Sequence, residues 1–273
     1  MYLPTMSTQA IVTVILYLTA SVLLGLRFKD SYSSSSSLRH LFNLSGLIAL
    51  VLHAHLLYSS VIVANGLDFG FFNVVSLVGW LVAIIVMATS FFRPLENLLI
   101  VLFPIAVLAI LLESFIPDER LITDTLSTGL KIHILLSICA YSLLMIGTIQ
   151  ALILAVQEKM IKAKHAATIM NILPPLQIME NLLIQLIVIG YFLLSLSLAS
   201  GMMFISDLFA QHLVHKTVLS IVAWIIYTIL LWGRWSAGWR GQKIIRWAVG
   251  GFIALLLAYF GSKFVLELIL QRV

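Results

Sequence analysis

Histidine is the residue type in this sequence best suited to bind a metal or a haem iron, and the chain contains seven histidines. His133 follows Lys131 by two residues, and His215 directly precedes Lys216. An imidazole nitrogen can bind haem iron axially, and an ammonium group can pair with a haem propionate at the water boundary. The pattern is therefore that expected of a haem site, with His133 and His215 at the iron. An ordinary set of polar residues at a membrane surface would have the same spacing.

Two further histidines, His53 and His55, lie within a long apolar run. At about 100° per residue their side chains point roughly 200° apart on a helix, so at most one of them faces the centre of a bundle. Ionisable side chains inside a membrane are costly, which makes His53 a candidate functional residue. The structural alternative is that one histidine hydrogen-bonds a neighbouring helix while the other contacts a loop or a lipid headgroup.

Several other chemistries are excluded by the sequence. The single cysteine, Cys139, excludes an internal disulfide, a Cys-x-x-Cys redox pair and a Cys-x-x-Cys-His haem attachment site. No zinc-protease, Gly-x-Ser-x-Gly or intramembrane aspartyl pattern occurs. No internal repeat favours an inverted-repeat transporter. The sequence therefore predicts no particular enzyme activity.

The composition places all of these residues in a membrane protein. Of 273 residues, 62% are hydrophobic and 10% are charged, whereas a soluble domain has roughly 25% charged residues. Eight spans of about 20 residues would use about 160 residues and leave about 113 for loops and ends. No loop is then long enough to fold as a domain. We predict a single all-α polytopic membrane domain over residues 1–273, a bundle of about eight transmembrane helices. The apolar runs lie near residues 8–26, 41–64, 71–92, 95–113, 130–156, 179–201, 214–233 and 247–270.

The distribution of basic residues predicts the orientation of these spans. No Lys or Arg precedes the first run, while Arg27 and Lys29 follow it, so we interpret it as a retained helix whose N-terminus faces outwards. With eight spans the C-terminus also faces outwards. The inner loops then hold eleven of the 16 basic residues: Arg27, Lys29, Arg39, Arg93, Lys159, Lys162, Lys164, Arg234, Arg240, Lys243 and Arg246. Basic residues spread over so many short loops do not form a continuous surface that could bind nucleic acid. The predicted partner is the lipid bilayer.

Tryptophan is concentrated near the predicted inner ends of the last two runs. Five of the six tryptophans lie there: Trp224, Trp232, Trp235, Trp239 and Trp247. Amphipathic indole rings are typical of the interface between membrane and water, so this cluster is interpreted as an interfacial belt.

Several segments of the C-terminal half carry a family resemblance. Lys216 to Arg234 reads KTVLSIVAWIIYTILLWGR and is followed by Gly238-Trp239-Arg240-Gly241 and by Tyr259-Phe260-Gly261. Lys131 to Tyr141 reads KIHILLSICAY, and Leu173 to Leu183 reads LPPLQIMENLL. Together they resemble the cytochrome c assembly membrane protein family (CcsA, CcmC and HemX-like proteins), especially its YpjD branch. The resemblance covers about residues 130–265.

The resemblance implies roles for individual residues. His133 corresponds to a haem-ligating histidine at the start of a family helix, and Lys216 to the lysine of a Trp-Asp-Pro-Lys-Glu segment. His53 is the best match for a histidine within the membrane. The sequence also departs from the family pattern, since no tryptophan lies between Met202 and His215 and Ser262-Lys263-Phe264 stands where a histidine is expected. His215 as the replacement ligand is our own inference.

The resemblance implies a haem-handling protein of the bacterial cytoplasmic (inner) membrane, with haem as cofactor and other membrane proteins as partners. Its role would be in cytochrome assembly or in the control of haem levels, without a haem lyase activity. The alternative is a non-catalytic membrane scaffold or regulator that kept the fold and lost the haem site.

Overall fold

Eight helices long and apolar enough to cross a membrane are present in the part of the chain that the structure describes, which confirms the predicted fold class. The structure is a computed structural model, and it describes residues 6–29, 36–63, 66–68, 70–92, 95–116, 121–122, 127–163, 173–204 and 214–261. Helices suit this composition because the bilayer core offers no water to unpaired backbone groups. Which end of each helix faces outwards stays a prediction from the distribution of charge.

The helices follow the predicted apolar runs, but most of them begin earlier or end later. Four helices come from the first half of the chain: α1 (Thr8–Lys29), α2 (Ser36–Val61), α3 (Phe71–Ser90) and α4 (Leu99–Phe115), the last preceded by a 3₁₀ turn at Glu96–Leu98. Four come from the second half: α5 (Thr128–Lys162), α6 (Leu176–Phe204), α7 (Val214–Ser236) and α8 (Gln242–Leu256), which continues into a π-helical turn at Leu257–Gly261. The last predicted run extends to residue 270, and its end lies outside the described residues.

A small antiparallel sheet joins the ends of helices α2, α3 and α4, and the sequence did not predict it. Its strands are β1 (Ile62–Val63), β2 (Gly66–Asp68) and β3 (Leu121–Ile122), in the order β1-β2-β3. Leu67 pairs with Ile62 on one side and with Ile122 on the other. The buried Asp68 carboxylate accepts a hydrogen bond of 2.9 Å from Gly70 N, one residue before α3 begins.

The chain divides into two compact units. Helices α1–α4 and the sheet belong to the first unit, and helices α5–α8 belong to the second. In the first unit, Phe103 of α4 packs against Tyr17 of α1 and Phe42 of α2, with ring centroids 5.0 Å and 6.3 Å away. All three rings are fully buried. The aromatic cluster therefore fastens three helices of this unit together.

Glycine allows close helix packing in the second unit. A β-carbon on Gly190 of α6 would lie 2.8 Å from the side chain of Leu144 of α5. A β-carbon on Gly251 of α8 would lie 2.8 Å from the ring of Tyr227 of α7. Small residues let transmembrane helices approach closely, which is the main source of their packing energy in lipid.

An ion pair ties α6 to the turn between α7 and α8. The Arg234 guanidinium donates to Glu180 Oε1 at 2.6 Å and to the carbonyl oxygen of Trp239 at 2.9 Å. The other Glu180 oxygen accepts from Gly241 N at 3.1 Å. Gly238 and Gly241 have positive φ values of 63° and 55°, which other residues adopt only at a cost. The mostly buried carboxylate therefore fixes the conformation of this turn.

We predict that Glu180→Ala lowers the free energy of unfolding by about 3 kcal/mol, because it leaves the mostly buried Arg234 guanidinium without its carboxylate. Thermal or denaturant unfolding of the purified protein in detergent measures this change. The matched control is Glu158→Ala, which removes a carboxylate whose partners, the Lys162 ammonium and the Gln242 amide, are both exposed to solvent. That change should cost less than about 1 kcal/mol. Equal losses in the two variants would contradict the role given to Glu180.

Candidate functional site

His133 lies near the start of α5, at the end predicted to face outwards. The helix begins after Ser127, whose side chain accepts a hydrogen bond of 3.3 Å from Leu130 N. This N-cap satisfies one of the backbone donors that the first turn of a helix leaves unpaired. His133 follows on the second turn of the helix and is half-buried.

The Nδ1 atom of His133 is held by α6. It lies 2.9 Å from the carbonyl oxygen of Ser197 and 3.1 Å from Ser200 Oγ. A carbonyl oxygen can only accept, so Nδ1 carries the proton in this hydrogen bond. In the neutral imidazole the lone pair then lies on Nε2, which hydrogen-bonds none of the residues that the structure describes. Metal-binding histidines are commonly oriented in this way, by a backbone carbonyl on the nitrogen that does not bind the metal.

Serine side chains surround this hydrogen bond. Ser137 Oγ donates to the carbonyl oxygen of His133 at 2.7 Å and lies 2.7 Å from Ser197 Oγ. Ser200 Oγ donates to the carbonyl oxygen of Ser197 at 2.8 Å. Hydroxyl groups that hydrogen-bond across helices favour one helix register in a membrane. The serines therefore keep α5 and α6 aligned where His133 needs its carbonyl partner.

Gly201 leaves the space that the imidazole ring occupies. A β-carbon at this position of α6 would lie 3.0 Å from Cε1 of His133 and 3.3 Å from Nδ1. Gly129, at the start of α5, similarly faces the ring of Phe204 at the end of α6, where a β-carbon would overlap it. Both glycines let the two helices approach each other around His133.

The two predicted lysines have different surroundings. Lys131 is exposed, and its position two residues before His133 directs it to another side of α5. Lys216 is half-buried near the start of α7, with Nζ 5.7 Å from the centre of the Tyr259 ring. Tyr259 in turn lies 6.4 Å from Tyr141 of α5, measured between ring centroids. Lys216 belongs to the same four-helix unit as His133, and its ammonium lies beside an aromatic ring that packs near Tyr141.

The other predicted iron ligand is described only in part. His215 is the second residue of α7, directly before Lys216, and its side chain lies outside the described part of the structure. Its pairing with His133 stays a prediction.

His53 lies in the other unit, and both of its ring nitrogens are hydrogen-bonded. Nδ1 lies 3.2 Å from the hydroxyl of Tyr17 on α1, and Nε2 lies 3.0 Å from Ser76 Oγ on α3. The side chain is fully buried. The interpretation of His53 as a hydrogen-bonding link to neighbouring helices is confirmed. Its role as a haem ligand stays a prediction, since iron at either nitrogen would replace one of these bonds.

His55 points away from the centre of the bundle, as its spacing from His53 predicted. It is exposed, and its Nδ1 lies 3.0 Å from Nε2 of Gln9 near the start of α1. Only His53 of this pair is buried among the helices of its unit, whereas His55 contacts α1 from the surface.

The sequence did not reveal the partners of His133. Ser197, Ser200 and Gly201 follow it by more than sixty residues, and only their polar or small character within an apolar run marks them. Among the described residues, no group of three or more His, Cys, Asp or Glu side chains could hold a metal ion. Within this described part, His133 is held by a backbone carbonyl on Nδ1 and has no hydrogen-bond partner on Nε2, an arrangement that suits binding to an iron that a porphyrin already holds.

Comparison with known proteins shows relatives over most of the chain. The chain is 33% identical over 251 residues to the inner membrane protein YpjD of Escherichia coli (strain K12), covering 91% of this chain and 95% of YpjD. It is 25% identical over 192 residues to a cytochrome c biogenesis protein CcsA of Prochlorococcus marinus, covering 59% of this chain and 61% of CcsA. No solved structure matches the chain significantly.

The family match is longer than the resemblance predicted from sequence segments. The prediction placed the family-like region at about residues 130–265, whereas the match covers residues 41–270 and so takes in α2–α4 as well. This multi-pass membrane protein belongs to the cytochrome c assembly protein family.

Proposed function

We propose that this protein handles haem at the predicted outer side of the bacterial inner membrane and binds haem iron through Nε2 of His133. Family membership supports the proposal, as does a relative named for cytochrome c biogenesis. The location is proposed from the relative YpjD, which is named as an inner membrane protein.

The observation that carries the proposal is the hydrogen bond between His133 Nδ1 and the carbonyl oxygen of Ser197. It holds the proton on Nδ1, so the lone pair on Nε2 is available without loss of a proton. It also fixes the plane of the ring and raises the basicity of the nitrogen that would bind iron. Both effects strengthen axial binding.

The remaining predicted residues complete the proposed site. His215 would supply the second axial nitrogen from the first turn of α7. Lys216, beside Tyr259, would pair with a propionate, and Lys131 is kept as a further candidate although it lies on another side of α5 from His133. Haem bound in this way supplies a redox-active iron with a characteristic Soret absorption. His53 is kept as the candidate ligand within the membrane.

The second candidate function is a membrane scaffold or regulator without haem. The sequence between Met202 and His215 favours it, because this stretch contains no tryptophan that could stack on a porphyrin. The two candidates differ in one observable property, which is whether the purified protein acquires a Soret band.

We predict that the wild-type protein, purified in detergent and supplied with haemin, shows a Soret band and that His133→Ala lowers its haem affinity at least about tenfold. The reason is that this change removes the imidazole that the Ser197 carbonyl orients. The matched control is His40→Ala, which removes an exposed histidine of α2 and should leave the spectrum unchanged. A wild-type protein without a Soret band would overturn the proposal and favour the scaffold. A His133→Ala protein that binds haem normally would also refute His133 as the ligand.

We predict a separate effect of Gly201→Ala. The added β-carbon would press on Cε1 of His133 from 3.0 Å and turn the ring away from its bond with Ser197. Haem affinity should fall about tenfold, as it does when an outer-shell partner of a metal ligand is disturbed, while the melting temperature stays close to that of the wild type. Gly250→Ala on α8 is the control, since a β-carbon there meets nothing within 4 Å. Equal haem titration curves for the two alanine variants would contradict the positioning role of Gly201.

A further inference from the structure

Three exposed cationic residues lie at or just after the turn between α7 and α8, on the opposite end of the second unit from His133. Arg240 lies in the turn, and Lys243 and Arg246 follow on the first turns of α8. Their spacing of three residues makes Lys243 and Arg246 neighbours on the helix surface. None of the three forms an ion pair with a residue that the structure describes.

The acidic groups near this turn are already engaged. Glu158 and Glu180 are the acidic residues of the second unit within its described part. Glu180 binds Arg234 and Gly241 N, as described above. Glu158 accepts from the Lys162 ammonium at 2.7 Å and from Gln242 Nε2 at 2.8 Å. The positive charge of the three exposed cations is therefore not neutralised by these carboxylates.

Exposed tryptophans place this turn at the depth of the lipid headgroups. Trp232 and Trp235, on the last turns of α7, are 72% and 69% exposed. Indole rings favour the zone between acyl chains and water. The cations follow directly in the chain, so they lie at the level where lipid phosphates are found.

The turn is also rigid, which distinguishes it from a flexible basic loop. The Trp239 ring packs against Gly233, where a β-carbon would overlap it, and lies 5.7 Å from the Trp247 ring between centroids. Lys243 Nζ lies 4.6 Å from the centre of the Trp239 ring. With Gly241 bound to Glu180, these contacts fix the backbone of the turn that carries Arg240 and leads into α8.

We propose that the turn between α7 and α8 binds the headgroup phosphate of an anionic phospholipid. Guanidinium and ammonium groups form charge-assisted hydrogen bonds with phosphate oxygens, and arginine can do so with two parallel bonds. The exposed indoles contact the acyl chains below the headgroup. This site shares no residue with the proposed haem site, so an experiment can disprove either proposal without affecting the other.

The test measures lipid preference of the full-length protein. The protein is delipidated in detergent, mixed with equimolar phosphatidylglycerol and phosphatidylcholine, and analysed by native mass spectrometry. We expect the wild type to prefer phosphatidylglycerol, and Arg240→Gln with Arg246→Gln to lower that preference about tenfold or more. This pair leaves the contact of Lys243 with Trp239 intact. Replacing the same two arginines with lysine should preserve most of the preference.

The matched control removes two exposed cations elsewhere, with Arg39→Gln on α2 and Lys159→Gln on α5. It has the same change in net charge and should keep the wild-type preference. The proposal would be overturned if the control lost as much preference for phosphatidylglycerol as the arginine variant, or if the wild-type protein showed no such preference. Displacement of the bound lipid by inorganic phosphate would also overturn it, because the site would then recognise free phosphate. Melting temperatures of all variants should match, since the four side chains are exposed.

Discussion

The apolar solvent around the helices requires each polar group to find its partner inside the protein, and the candidate site depends on this constraint. Many hydroxyls of the spans meet it locally, as Ser142 and Thr148 do by donating to the carbonyl oxygen four residues earlier. The imidazole of His133 instead reaches another helix. Its Nδ1 bonds to the Ser197 carbonyl of α6, which sets the tautomer, and lies 3.1 Å from Ser200 Oγ, which helps to hold the ring.

His53 and His133 differ in how many of their ring nitrogens have a hydrogen-bond partner in the protein. His53 has a partner on each ring nitrogen, from Tyr17 on α1 and Ser76 on α3, so it joins three helices. His133 uses Nδ1 in the same way, while its Nε2 has no hydrogen-bond partner among the residues that the structure describes. Both carboxylate oxygens of Glu180 are also engaged, one by Arg234 and the other by Gly241 N. Glu180 is therefore not available to pair with the exposed cations of the turn.

The helices were largely predictable because their apolar length is the property that the bilayer selects. The ends of the helices were less predictable. For example, α5 was predicted to end at residue 156 but continues to Lys162, because a helix can extend beyond the apolar run that crosses the membrane. The sheet escaped prediction because strands of two or three residues carry no periodic signal. At the site, His133 was identified from its residue type and its neighbouring lysine. Ser197 and Gly201 could not be, since helix packing rather than local sequence brings them to the ring.

The length of α5 has a structural consequence. Its 35 residues extend about 52 Å, against about 30 Å for the hydrocarbon core, and contain no proline. His133 and Glu158 lie about 25 residues, or about 37 Å, apart on this one rod. Glu158 and Gln157 anchor the far end to Gln242 and to the carbonyl oxygen of Pro174. Between these ends the helix packs closely against α6, at Gly190 beside Leu144 and at the serines around His133. One unbroken helix therefore links the turn that follows α7 at one end of the unit to the imidazole at the other end.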